Sequence, residues 1–439
     1  MIRISNPTLK SVGIGAIAAA VVNVMTIQGA MAASEPPSVE EMWAIIQTQQ
    51  GQIQTLMNRL EATDEKVEAT EQKVEETDKK VEKTEQKVAE TEDKVEAAGE
   101  AIEEARTQTA PGGDGWWQHT SLGGYGELHY NGGDAQEIDF HRFVLYVDHE
   151  FNDRIRVKSE LELEHSISGD GKNGEVELEQ AFVEFDVTDN NTARAGLFLL
   201  PVGILNETHE PPTFFGVERN PVEKNIIPTT WWEGGASWTA RFGSGFSVDL
   251  AAHSGLDVPD TGGNAYKIRN GRQKVSQAPA KDLAYTGRVK WTGVPGVEVA
   301  VTGQYQGDVT QGDTDVEAVL VEAHADIRRG PFGLRALYAR WDLNGSAPKM
   351  LGRDEQYGWY VEPSFRFDVP HGEAGVFARY NEYDIEAGGN GESKYQEASF
   401  GINYWPHPDV VLKFDYQVQD APQGESDDDR ANLGVGFQF

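Results

Sequence analysis

Residues 199–235 read LLPVGILNETHEPPTFFGVERNPVEKNIIPTTWWEGG and gather side chains that could do chemistry: Glu207, His209, Glu210, Glu218, Arg219, Glu223 and Lys224, with Phe214 and Phe215 among them. Paired carboxylates such as Glu207 and Glu210 could act as the acid and base of a glycosidase. Charges of both signs on one long loop could instead narrow a pore, where acidic rings favour cations and basic rings favour anions. The chain carries 72 acidic residues, so close carboxylate pairs arise by chance. No nucleophile elbow, phosphate loop or zinc-binding helix motif appears. His129, His141, His165, His253 and His324 fall in separate runs without ligand spacing, and the acidic loops lack EF-hand spacing. Neither an enzyme nor a bound metal or cofactor is expected. The five prolines of the stretch argue against helix or ladder strand, so the expectation is a stiffened constriction loop.

The runs on either side must position that loop. From residue 119 to 439 the text consists of about sixteen short alternating runs. In 154–165, Ile155, Val157, Leu161 and Leu163 oppose Arg156, Lys158, Glu160, Glu162 and Glu164. The same period of two sets Val297, Val299, Val301 and Tyr305 against Glu298, Thr302, Gln304 and Gln306, and Leu412, Phe414, Tyr416 and Val418 against Lys413, Asp415, Gln417 and Gln419. The connections alternate in length. Tight ones (FNDR, DNN, GSG, TGVPG, RRGP, VPHGE, WPHPD) interleave with long ones at 166–174, 200–230, 254–280, 308–314, 344–355, 386–392 and 420–429. A meander of this kind gathers its long loops at one end, as outer-membrane barrels do. A soluble sandwich shares the alternation. Aromatics near run ends (Trp117, Trp238, Trp291, Trp341, Tyr404, Trp405) fit an interfacial girdle and favour the barrel. The predicted fold is all-β, a transmembrane antiparallel barrel of about 16 strands at 119–439.

Ahead of it, residues 66–100 repeat every seven: Val67, Val74, Val81, Val88 and Val95 at position a, Thr70, Thr77, Thr84 and Thr91 at d, lysines at g and acids at e. The frame predicts an α-helical coiled coil over 35–108, and its β-branched core leans toward three strands. Residues 109–118 form a linker that begins TAPGGDG. Arg3 and Lys10, an apolar run and an A-x-A site predict a signal peptide at 1–32. There is no cysteine, and the net charge of −34 argues against nucleic acid as a partner. The chain ends NLGVGFQF, alternating up to Phe439, which as the close of a last strand would face lipid.

RAGLFLLPVGILNETHEPPTFFGVERN, residues 194–220, is similar to the segment R-x-G-Q-F-x-x-P-F-G with its following long loop in porins of the phosphate-selective O and P type. The chain resembles that family over 120–439. The resemblance implies a sixteen-stranded outer-membrane barrel assembled as a trimer, with the stalk in the periplasm. Separately, a last strand ending in an aromatic, Phe439, resembles the assembly signal read by the outer-membrane assembly machinery. Leu197 and Val202 depart from the pattern. The family's phosphate channels use a ladder of Arg and a cluster of Lys. Here the inward parity places Arg142, Lys158, Arg194, Arg241, Arg288, Arg379 and Lys413 beside Glu160, Glu162, Glu298, Glu322, Glu362 and Asp415. Acids are at least as numerous as bases on that face, so family membership is expected and phosphate selectivity is not.

These residues describe a passive diffusion channel for small hydrophilic solutes or ions, weakly selective or leaning toward cations. An anion channel for phosphate or dicarboxylates would need Arg142, Arg194, Arg288 and Arg379 stacked on one wall. A structural tether, its stalk reaching toward peptidoglycan, is the reading that makes the barrel only an anchor. The remaining partners are outer-membrane lipid and lipopolysaccharide.

Overall fold

Residues 115–133, 136–313 and 315–439 are described in the computed structural model, with individual positions between 38 and 80. The chain divides into two units, 1–113 and 114–439. In the first, every described position from Val39 to Lys80 is helical. Val67 and Val74 are exposed on this helix. Thr70 and Thr77 turn their hydroxyls back onto the carbonyls of Lys66 and Lys73, each at 2.7 Å. The predicted signal peptide, residues 109–114 of the linker and the later heptads lie outside the described residues.

In the second unit sixteen antiparallel strands close into a barrel. They are β1 Thr120–Gly132, β2 Gln136–Asn152, β3 Ile155–Glu164, β4 Val176–Thr188, β5 Asn191–Leu199, β6 Trp232–Arg241, β7 Phe246–His253, β8 Ala284–Val294, β9 Val297–Gln306, β10 Glu317–Arg329, β11 Phe332–Asn344, β12 Glu355–Val369, β13 Gly372–Asp384, β14 Tyr395–His407, β15 Val410–Asp420 and β16 Arg430–Gln438. Each strand pairs with its sequence neighbours, and β1 pairs with β16. The closure is completed by Phe439, whose N–H donates to Gly124 O at 2.8 Å and whose carbonyl accepts from Gly124 N–H at 2.9 Å.

The alternation places the two faces as expected. Along β15, Leu412, Phe414, Tyr416 and Val418 face out while Lys413, Asp415 and Gln417 are buried inside. The ring of Phe439 is exposed, as predicted. All seven tight connections fall at one end. The seven long connections anticipated fall at the other end, the end where β1 passes into β2.

Two expectations are corrected. Trp341 and Trp405 do not belong to an outer girdle: both are buried inside, where their indole N–H groups donate to Ile226 O at 2.9 Å and Pro212 O at 3.2 Å. An aromatic at a strand end has either parity open to it, and here the inner loop offers each indole an acceptor. The stretch 199–235 is not wholly irregular. Leu199 ends β5, residues 232–235 open β6, and Pro221–Asn225 form a short helix, α1. Pro221 stands at the first turn, where its missing N–H costs nothing, and the Asn220 side chain accepts from Glu223 N–H at 2.9 Å as the N-cap. A second short helix, Ser346–Met350, lies in the connection between β11 and β12.

Candidate channel constriction

The loop between β5 and β6 turns inward at its first residues. Gly196 has φ +134°, and a Cβ there would lie 2.4 Å from Ala181 O across the β4 pairing. Gly203 has φ +73°, and a Cβ would meet Ile227 Cδ1 at 2.8 Å and the Glu223 carboxylate at 2.9 Å. Both positions require glycine, which accounts for the spacing R-x-G…P-x-G. The turn delivers Ile204 N–H and Leu205 N–H to Glu223 Oε2 at 3.0 and 2.6 Å, while Tyr360 Oη donates to Oε1 at 2.6 Å. Burial nevertheless raises the Glu223 pKa above its ordinary value, against the opposing hydrogen bonds from Tyr360 and Leu205.

From there the loop is tied to most of the barrel's circumference. Its side chains or backbone form hydrogen bonds with every strand from β8 to β15. Arg288 on β8 pairs with Glu207, and Thr302 on β9 donates to Pro201 O at 3.4 Å. Thr213 O accepts from Arg328 on β10 at 3.4 Å and from Arg335 on β11 at 3.1 Å. Arg379 on β13 donates to Phe215 O at 3.4 Å and Asn403 on β14 to Phe214 O at 3.1 Å. On β15, Lys413 donates to Gly216 O at 2.8 Å with its ammonium 3.5 Å from the centre of the Phe214 ring, and Asp415 accepts from Val217 N–H. On β1, His129 and Asn131 each lie 3.1 Å from Glu218 Oε1, and on β2 Arg142 donates to His209 O at 3.0 Å. The Glu218 environment opposes ionisation through burial, but the His129 contact outweighs it and holds the pKa well below the ordinary carboxylate range. An apolar core seals the loop to the β10–β13 side: Leu200, Val202, Ile204, Val222, Ile226, Ile227 and Trp231 join Ala318, Leu320, Leu337, Ala339 and Tyr360.

The open space lies opposite, along β2–β5. One cavity, of about 290 Å³, is lined by Tyr146, Asp148, Lys158, Glu160, Gln180, Arg194, Glu207, His209 and Glu210 among others. A second, of about 160 Å³, is lined by His141, Glu164, Glu177, Glu179, Glu218, Arg219, Lys224, Arg269, Arg272 and Lys274 among others. Glu160 borders the first and Glu179 the second, and His209 of the loop stands between them, its Nε2 3.6 Å from each carboxylate.

The anticipated lining residues therefore divide. Lys158, Glu160 and Arg194 border a cavity. Glu162 is buried on the same β3 face, Glu298 faces inward on β9, and Arg241 is exposed at the end of β6, donating to Thr192 at 3.1 Å. Arg142, Arg379, Lys413 and Asp415 hold the loop in place, and Glu362 pairs with Arg379 at 3.2 Å. Glu322 lies 2.7 Å from His324 on the same strand. Arg142, Arg194, Arg288 and Arg379 do not share a wall. They stand on β2, β5, β8 and β13, and each is paired with a carboxylate: Glu127 at 2.6 Å, Glu184 at 2.6 Å, Asp249 at 2.9 Å and Glu362. Sequence parity did not reveal the basic side chains that the loop between β7 and β8 brings to the second cavity, Arg269, Arg272 and Lys274. They sit in an irregular stretch where alternation gives no direction.

The model of the family phosphate-selective porin O and P matches residues 119–439. The chain belongs to this family. An uncharacterized protein of Aquifex aeolicus (strain VF5) is 30% identical over 369 residues, covering 73% of this chain and 80% of that one. Among solved structures, the outer-membrane channel DcaP of Acinetobacter baumannii is 14% identical with a TM-score of 0.52, over 73% of this chain and 97% of that chain. The anion-selective porin of Comamonas acidovorans is 13% identical with a TM-score of 0.52, over 73% and 99% respectively. At such identities these two structures speak for the fold alone. The porin is an outer-membrane barrel, and the family and fold are those of channels.

Proposed function

We propose that this porin is a passive diffusion channel for small hydrophilic solutes and ions, assembled as a homotrimer and weakly selective with a lean toward cations. The observation that carries the lean is the first cavity. Asp148, Glu160, Glu207 and Glu210 border it against Lys158 and Arg194; Glu207 is paired with Arg288 and Arg194 with Glu184, which leaves three carboxylates against one ammonium. An acidic passage raises the local concentration of cations over anions. The loop, held by eight consecutive strands on one side, acts as the constriction that leaves this passage along β2–β5. The helix before the barrel is read as a periplasmic trimeric coiled coil, because exposed Val67 and Val74 offer an a-position seam that only other copies of the same repeat would cover.

One observation favours a second reading. Arg219, Lys224, Arg269, Arg272 and Lys274 surround the second cavity and could gather anions such as phosphate or dicarboxylates. The deciding experiment is the zero-current potential of the purified protein in a planar bilayer under a potassium chloride gradient. A cation-signed potential is expected. An anion-signed potential means that the five basic side chains govern the passage. Deleting residues 35–108 should leave conductance intact; its loss would make the barrel dependent on the stalk.

A further inference from the structure

Glu160, Glu179 and His209 form a compact buried cluster whose nearest oxygen and nitrogen atoms all lie within 4.8 Å of one another. The three side chains come from β3, β4 and the inner loop, and each residue is at most 3% exposed. His209 Nδ1 lies 3.3 Å from Asn206 O, which places the ring proton there and leaves Nε2 as the free ligand atom. Nε2 is 3.6 Å from Glu160 Oε1 and 3.6 Å from Glu179 Oε2, too far for hydrogen bonds. Neither Nε2 nor Glu179 Oε2 has a hydrogen-bond partner. Outer contacts orient the set: Gln180 donates to Glu160 Oε2 at 2.6 Å, and Tyr125 Oη lies 3.5 Å from Glu160 Oε1. The β3–β4 register slips here. Glu160 pairs with Gln180 and Leu161 with Leu178, so Glu179 is the extra residue of a bulge and is re-aimed toward His209. The nearby cation, Arg142, is paired with Glu127.

We propose that Glu160, Glu179 and His209 bind a transition-metal dication of the zinc class, which clamps the inner loop to the β3–β4 wall between the two cavities. One imidazole and two carboxylates suit zinc rather than calcium or magnesium, which take all-oxygen sets. The first cavity reaches Glu160 and His209 and supplies both an entry path and room for water as a further ligand. The location gives the ion its effect. The loop is hydrogen-bonded to β8–β15, β1 and β2, whereas β3 and β4 make no hydrogen bond to it among the described residues: Phe182 of β4 shares its apolar core, and His209 faces Glu160 and Glu179 across 3.6 Å gaps. A bound ion bridges that remaining sector and narrows the passage.

The test uses the full-length protein in detergent and in planar bilayers, with zinc chloride as the probe. Titration calorimetry should show one zinc per barrel, and single-channel conductance should fall by at least half on zinc addition while equal magnesium has no effect. His209→Gln and Glu179→Gln should each weaken zinc binding at least ten-fold, the lower end of what even an outer-shell loss costs. Binding left unchanged in both variants would place zinc elsewhere and overturn the proposal. No zinc binding at all would also overturn it and make the cluster an imidazolium held between two carboxylates. Should a variant fail to fold, anomalous scattering at the zinc edge from soaked crystals of the unaltered protein decides: a peak among the three side chains supports the site, and its absence refutes it.

Discussion

The backbone N–H of Val217 donates to Asp415 Oδ2 at 2.6 Å, although 198 residues separate them in the chain. The other oxygen of the same carboxylate accepts from Asn432 at 2.8 Å, so one side chain fastens the inner loop to β15 and β16 together. Asp415→Ala leaves a buried N–H without a partner, a loss of about 1–3 kcal/mol. Single-channel recordings of this variant should show a larger and noisier conductance, and its melting temperature in detergent should fall. A trace indistinguishable from the native one would show that the loop is held without this contact.

Glu223 is the internal fastening of the loop. Its carboxylate is fully buried and accepts from two backbone N–H groups and one phenol. Glu223→Ala should cost about 3 kcal/mol in equilibrium unfolding, because several donors lose their acceptor at once. Tyr360→Phe removes only one donor and should cost about 1 kcal/mol. Equal losses in the two variants would contradict the shared-acceptor geometry.

Acid should loosen the loop on the β1 side. The folded-state pKa of Glu218 lies below the ordinary carboxylate value of ~4.3. Its contact with His129 therefore contributes fully above that pH and is lost as pH falls below it toward the depressed value. Thermal stability measured from pH 7 to pH 3 should drop in the acid range, and Glu218→Gln should flatten that part of the profile. A Glu218→Gln profile parallel to the native one throughout would assign the drop to other groups.

Phe439 combines two separable contributions. Its backbone closes β1 through Gly124, and its ring points outward. Deleting Phe439 should destabilise the refolded barrel, read as loss of the heat-modifiable band in electrophoresis. Phe439→Ala keeps both backbone bonds and should refold like the native protein in vitro, yet reach the outer membrane of cells in smaller amounts if the ring is the assembly signal. Native-level insertion of Phe439→Ala would remove that role.

The barrel was legible because its code is short in range. Alternation in 297–306 and 410–419 and the switching of tight and long connections depend only on nearby residues, and the observed strands follow them within a residue or two. The parity of the polar faces was also right: Lys413, Asp415, Arg379 and Glu362 all point inward. Their partners were not legible. Whether an inward lysine borders water or clamps Gly216 depends on where a loop folds some 200 positions away, which no local pattern encodes. Trp341 and Trp405 were misplaced for the same reason, since what drew them inward is the loop itself. Glu160, Glu179 and His209 escaped notice because three elements contribute one residue each and a bulge sets the aim of Glu179.

The uneven fastening of the loop divides the labour around the barrel. Substitutions on the inner faces of β8–β15 disturb a foundation, and the protein should tolerate few of them. The inner faces of β3 and β4 give the β5–β6 loop no hydrogen bonds among the described residues, so a change of charge at Lys158, which borders the first cavity, alters the passage without unfastening the loop. Selection on what crosses the membrane can thus act on one arc of the wall while the opposite arc keeps the molecule intact.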